Sequence, residues 1–93
     1  MSIPLSSTIT ISSEVLAQEV DGETVLLDLQ SESYFGLDEV GTRIWQLLND
    51  HNELQKVFDI MLEEYDVNPK QLENDLNDLV GKLIDEKLIK ANT

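Results

Sequence analysis

The chain has 93 residues, 41 % of them apolar, and 19 acidic against 6 basic residues give it a formal charge of −13. That size holds one domain with one modest core; there is no cysteine for a disulfide or a thiolate zinc site, and no window approaches the ~20 apolar residues of a membrane span. The charge argues against nucleic acid and against an anionic membrane, because both are bound through Lys and Arg.

The charge is also unevenly placed: residues 1–42 hold eight acids and no Lys or Arg, and all six bases lie from Arg43 onward. Such a surface reads either as a solvated one or as a field that steers a basic or neutral peptide. Residues 1–5 lack the basic region of a secretory signal, and the absence of cysteine fits a reducing compartment, so a cytoplasmic location is expected.

Residues 1–13, rich in Ser and Thr, are expected to form a flexible arm, within which the alternating Thr8-Ile9-Thr10-Ile11 allows a short added strand. Val15 to Val20 reads as a strand, and Asp21-Gly22 is the signal of a two-residue hairpin turn. In the next strand Val25, Leu27 and Leu29 share one face and Leu26 and Asp28 the other. Gln30 to Glu32 turn the chain, and Ser33 to Leu37 return it, with Phe35 and Leu37 on one face and Tyr34 on the other. The result is a three-stranded antiparallel meander.

Three helices are predicted to follow. Asp38 is a natural N-cap, with Glu39 well placed against the helix dipole; Val40, Ile44, Leu47 and Leu48 form the apolar stripe. Asn49 to Asn52 break that helix, and Asn52 with Gln55 resembles a capping box for the second. The second stripe is Leu54, Val57, Phe58, Met61, Leu62 and Tyr65. Asn68 caps the third helix, with Pro69 at the first position, where a missing N–H costs nothing. Its apolar residues are Leu72, Leu76, Leu79, Val80, Leu83 and Ile84. Leu88 and Ile89 either finish it or form a short closing strand. The fold class is α+β and winged-helix-like, with the folded domain over residues 14–90 and a tail at 91–93.

The residues offer little for catalysis. His51, the single histidine, reads as an ordinary loop residue with no Cys or Ser constellation to serve. The acid pairs Glu63-Glu64 and Asp85-Glu86 have the spacing of a solvated helix face rather than of an acid and base. The acids around Asp21, Glu23 and Asp28 do not fit a calcium loop. No catalytic residue, metal site or cofactor is therefore expected. Tyr34, Phe35 and Trp45 read first as core aromatics. A small sheet covered on one face also leaves room for a groove beside the Ser33–Leu37 strand, with one flank of the broad third-helix stripe as its wall. A short strand edge beside an apolar helix flank is the setting for strand addition by a peptide.

Val25-Leu-Leu-Asp-Leu29, Tyr34-Phe-Gly-Leu37 and Glu39-Val-Gly-Thr-Arg-Ile-Trp45 resemble the PqqD-like family, the leader-peptide recognition elements of ribosomally made, modified peptides. Glu64-Tyr-Asp-Val67 and the helix from Glu73-Asn-Asp-Leu76 to Leu83-Ile84 are similar too, so the resemblance spans roughly residues 15–90. Two departures stand out: Glu32 occupies a turn position where the family usually has glycine, and Lys87-Leu88-Ile89 replaces an often-seen Gly-Leu-Leu. The resemblance implies a non-catalytic domain that binds the leader of a precursor peptide as an extra strand and presents it to a leader peptidase and a cyclase, most like the lasso-peptide type. The implied peptide-binding residues are Ser33, Tyr34, Phe35, Gly36 and Leu37 on the strand. On the third helix, spacing points to Asp75, Leu76, Leu79, Lys82 and Leu83, of which some must belong to the core.

The rival with the same fold is a winged-helix DNA-binding regulator, disfavoured because Lys70 and Lys82 are outnumbered on the third helix by Glu73, Asp75, Asp78, Asp85 and Glu86. An acyl-carrier-like protein would need an Asp-Ser-Leu site, and no such tripeptide occurs.

Overall fold

The structure, a computed structural model, describes residues 3–92. Its elements in chain order are β1 (Thr8–Ile11), β2 (Val15–Val20), β3 (Glu23–Asp28), β4 (Ser33–Leu37), α1 (Glu39–His51), α2 (Leu54–Glu64), α3 (Pro69–Asp85) and β5 (Ile89–Asn92). The expected meander is present as an antiparallel sheet in the order β2-β3-β4, and three helices follow it. A second sheet pairs β1 with β5.

Local chemistry explains most boundaries. Asp21 (φ 54°) and Gly22 (φ 81°) both take the left-handed backbone of a two-residue hairpin turn, with Val20 opposite Glu23. Asp38 caps α1 by accepting the Gly41 N–H at 2.8 Å. Asn68 caps α3 by accepting from the amides of Lys70 and Gln71, with Pro69 in the first turn.

The start of α2 differs from the expected capping box. Asn49, Asp50 and His51 are still helical, and Asn52 ends α1 in the left-handed conformation. The Asn52 amide group donates to the Ile9 carbonyl at 3.1 Å, so it is spent on the N-terminal segment instead of on α2. Glu53 precedes α2 and makes no side-chain cap.

That N-terminal segment, expected as an arm, carries β1. Ile9 donates to the Asn52 carbonyl at 2.6 Å, and the Leu54 amide donates to Ser7. Ile3 donates to the Asn77 side chain on α3. Ile9 pairs with Ala91 of β5 and is 1 % exposed, so it is part of the core. β5 settles the open choice at the C-terminal end in favour of a closing strand.

The core is built from Ile9, Leu26, Leu37, the α1 residues Ile44, Trp45, Leu47 and Leu48, Leu54, Val57 and Met61 of α2, the α3 residues Leu72, Leu76, Val80 and Leu83, and finally Leu88 and Ile89. Trp45 therefore belongs to the core. On β3 the covered face is Thr24, Leu26 and Asp28, while Val25 and, just beyond the strand, Leu29 are exposed. Asp28 is nearly buried because its two oxygens bind the loop that follows. One accepts the Gln30 N–H at 3.1 Å and the other the Ser31 hydroxyl at 2.9 Å.

α1 and α2 are tied by Arg43, whose Nε donates to Glu64 at 2.8 Å. The hydrogen bond holds the Glu64 carboxyl below the usual carboxylate range and raises the Arg43 guanidinium. It is the sole ion pair among the described residues.

Candidate functional site: a groove between β4 and α3

β4 lies at the edge of its sheet, and its backbone register decides what that edge offers. In an antiparallel pair, directly opposed residues alternate between exchanging two backbone hydrogen bonds and exchanging none. The two-residue turn makes Val20 and Glu23 a bonded pair, so Val25 and Leu27 also spend their backbone groups on β2, as the Leu29 amide does on Glu14. Thr24, Leu26 and Asp28 then bond β4 through Leu37, Phe35 and Ser33. By that alternation the backbone groups of Tyr34 and Gly36 point away from β3, on an edge that no other strand among the described residues pairs with. An added strand would form its ladder there.

Beside that edge runs a groove of about 430 Å³, lined on the β4 side by Phe35, Gly36, Leu37 and Asp38, and on the α3 side by Asp75, Asp78, Leu79 and Lys82. Val40, Gly41 and Ile44 of α1 form its end wall. Gly41 is there because α1 starts so close to β4. A Cβ on it would come within 3.3 Å of Leu37 and of the Asp38 carboxylate.

Of the sequence-derived set, Phe35, Gly36, Leu37, Asp75, Leu79 and Lys82 line the groove together. Ser33 and Tyr34 lie at its far end, around a small recess shared with Phe35, Glu86 and Leu88. Tyr34 is 74 % exposed, on the uncovered face of the sheet.

Leu76 and Leu83 do not reach the groove. Both are fully buried in the core. The reason is helical phase: the stripe is wider than the seam α3 buries, and these two sit at its centre while Leu79 sits on its flank. The sequence reading missed Asp38, Val40, Gly41, Ile44 and Asp78. Asp78 could have been found from its position three residues after Asp75 and four before Lys82 on one helix face.

Among the described residues no group of three or more His, Cys, Asp or Glu could hold a metal ion, and no helix is long and apolar enough to cross a membrane. His51 sits half-buried in the last turn of α1. Glu63, Asp85 and Glu86 face solvent, and Glu64 serves the Arg43 pair.

An unpaired strand edge along a helix-walled groove is the architecture of strand-addition modules. The family described as coenzyme PQQ synthesis protein D (PqqD) matches residues 23–89, and the chain belongs to that family. Among solved structures, one described as TbiB1 in complex with the TbiA(beta) leader peptide is 40 % identical. It superposes with a TM-score of 0.82, covering 87 % of this chain and 94 % of that one. Another, described as a lasso peptide synthetase B1 complexed with the leader peptide, is 26 % identical, with a TM-score of 0.79 and coverage of 89 % and 98 %. No curated protein matches the chain. The DNA-regulator alternative gains no support from the family or from these neighbours.

Proposed function

We propose that this chain is a non-catalytic binder of a precursor leader peptide, which it takes up as an extra strand on β4 with side chains resting in the groove against α3. The observation that carries the reading is the outward-facing backbone of Tyr34 and Gly36 above that groove. It is supported by the two solved relatives, both described as leader-peptide complexes.

A leader peptidase and a cyclase are the enzymes to which such a bound precursor would be delivered. The uncovered sheet face supports a docking role of this kind. It exposes Leu16, Val20, Val25 and Tyr34, apolar surface of the sort that a partner covers.

Residue-resolved amide exchange with the TbiA(beta) leader peptide as probe tests the reading. The amides of Tyr34 and Gly36 should gain protection, whereas those of Phe35 and Leu37, already bonded to β3, should change little. Tyr34→Pro should abolish binding and keep the fold, because it removes an N–H that no strand among the described residues uses. Protection appearing only along β2, the opposite edge of the sheet, would sink the proposal.

A further inference from the structure

The groove is not electrically neutral along its length. Glu86 lies beside Ser33 and Phe35, so α3 runs antiparallel to β4 and its residues Asp75 and Asp78 fall at the Leu37 end. Asp38 stands at that same end, with one oxygen engaged by the Gly41 amide. Among the described residues Asp75 accepts only from the neutral Gln71 side-chain amide, at 2.9 Å. Among the described residues none of Asp38, Asp75, Asp78 and Lys82 belongs to an ion pair. Three carboxylates therefore line one apolar-floored groove, in a chain already at −13. Lys82 sits one turn further along, towards Phe35.

We propose that Asp75 and Asp78 determine specificity by selecting a strand with a cationic side chain at the Leu37 end, next to an apolar side chain seated against Leu37, Ile44 and Leu79. This rests on the peptide-binding reading above and adds to it the chemistry of the peptide. Geometry sets the spacing. Asp75 and Lys82 are about 10 Å apart along the helix, and side chains on one face of an extended strand recur about every 7 Å. Two successive inward side chains fit that span. The first meets Asp75 and Asp78, where a positive charge finds two carboxylates that no ion pair among the described residues engages. The second meets Leu79. Lys82 repels a second cation there, which confines the charge to one position.

The test uses the full chain and a displayed library of random peptides of about 12 residues, long enough to overrun the groove at ~3.4 Å per residue. Selection on the wild-type protein should enrich Lys or Arg two residues from an enriched large aliphatic position. Selection on the D75N/D78N variant should keep the aliphatic preference and lose the cationic one. Both carboxylates are exposed on α3, so the variant should fold, as circular dichroism will record. A selected peptide, resynthesised, should bind the variant about 2- to 5-fold more weakly, the range of exposed charge pairs, and the gap should close at high salt. Equal cation enrichment on both proteins, or an aliphatic preference with no cation on the wild type, overturns this inference and leaves the groove reading standing. Failure to select any peptide overturns both.

Discussion

Glu32 and Lys87 hold the same left-handed backbone, at φ 60° and 61°, and both stand where the resemblance to the family places glycine. Glu32 ends the loop between β3 and β4. Lys87 follows α3 in a Schellman motif: its amide donates to Ile84 and that of Leu88 to Leu83, each at 2.9 Å. The two departures noted in the sequence have therefore left the turns intact and loaded them with strain, since a Cβ in this conformation costs roughly 1–2 kcal/mol.

Replacing either residue by glycine should accordingly stabilise the domain. The relief is offset in part by the greater freedom of glycine in the unfolded chain, leaving about 0.5–1 kcal/mol for each of Glu32→Gly and Lys87→Gly. The two sites lie in different turns and their effects should add. Thermal denaturation reads this as a rise of several degrees, and a fall in Tm for either variant would contradict the assigned strain.

Leu79 and its helix neighbours should separate binding from folding. Leu79→Ala should weaken peptide binding by about 1–3 kcal/mol through lost apolar contact in the groove and leave the fold intact. Leu76→Ala and Leu83→Ala should cost about 2–5 kcal/mol of stability by opening cavities in the core. Urea titrations alongside affinity measurements on all three variants check the division. A stable Leu83→Ala protein with lost binding would place the groove on the wrong flank.

Thr42 is buried at 3 % exposure, and its hydroxyl has no hydrogen-bond partner among the described residues. Thr42→Val keeps the shape and removes an unsatisfied polar group, so stability should rise by about 1 kcal/mol. Chemical denaturation measures it directly; a loss of stability would show that the hydroxyl is satisfied.

Acid should weaken the α1–α2 tie. The Glu64 carboxyl is held low by its hydrogen bond from Arg43, so its contribution is complete above the ordinary glutamate range and is lost as pH falls through the depressed value. Glu64→Gln should flatten that part of the stability-against-pH curve. Superimposable acid limbs for variant and wild type would show the pair to be energetically silent.

Duplex DNA should not bind, even at low ionic strength. Within α3, Lys70 and Lys82 are outnumbered by Glu73, Asp75, Asp78 and Asp85, so approach to phosphates sets like charges together. A gel-shift titration with random duplex checks this. Micromolar affinity there would demand a nucleic-acid function beside the peptide one.

Much of the fold is written in short-range chemistry. The Asp21-Gly22 turn, the Asp38 cap and the Asn68-Pro69 start of α3 each depend on a few adjacent residues, so the sequence alone places them. The edge strand Ser33–Leu37 was legible for the same reason, as was the shared flank of Asp75, Leu79 and Lys82 that lines the groove. Alternation and helical spacing show which side chains share a face.

What spacing cannot show is which face another element covers. The apolar set Val25, Leu27 and Leu29 looks like a core stripe, yet β3 turns Thr24, Leu26 and Asp28 inward, because α1 packs on that side and no element among the described residues covers the other. Leu76, Leu79 and Leu83 are chemically alike, and only the seat of α3 against α2 and β5 divides core from groove. The pairing of β1 with β5 was equally hidden: alternation allowed a strand at Thr8–Ile11, but its partner lies at the other end of the chain and no local signal joins them. The sequence by itself determined the β2-β3-β4 meander, the three helices and the caps of α1 and α3. Tertiary contact decided which leucines line the groove and which two backbone units of β4 stay free, because burial and strand register belong to pairs of elements and not to one.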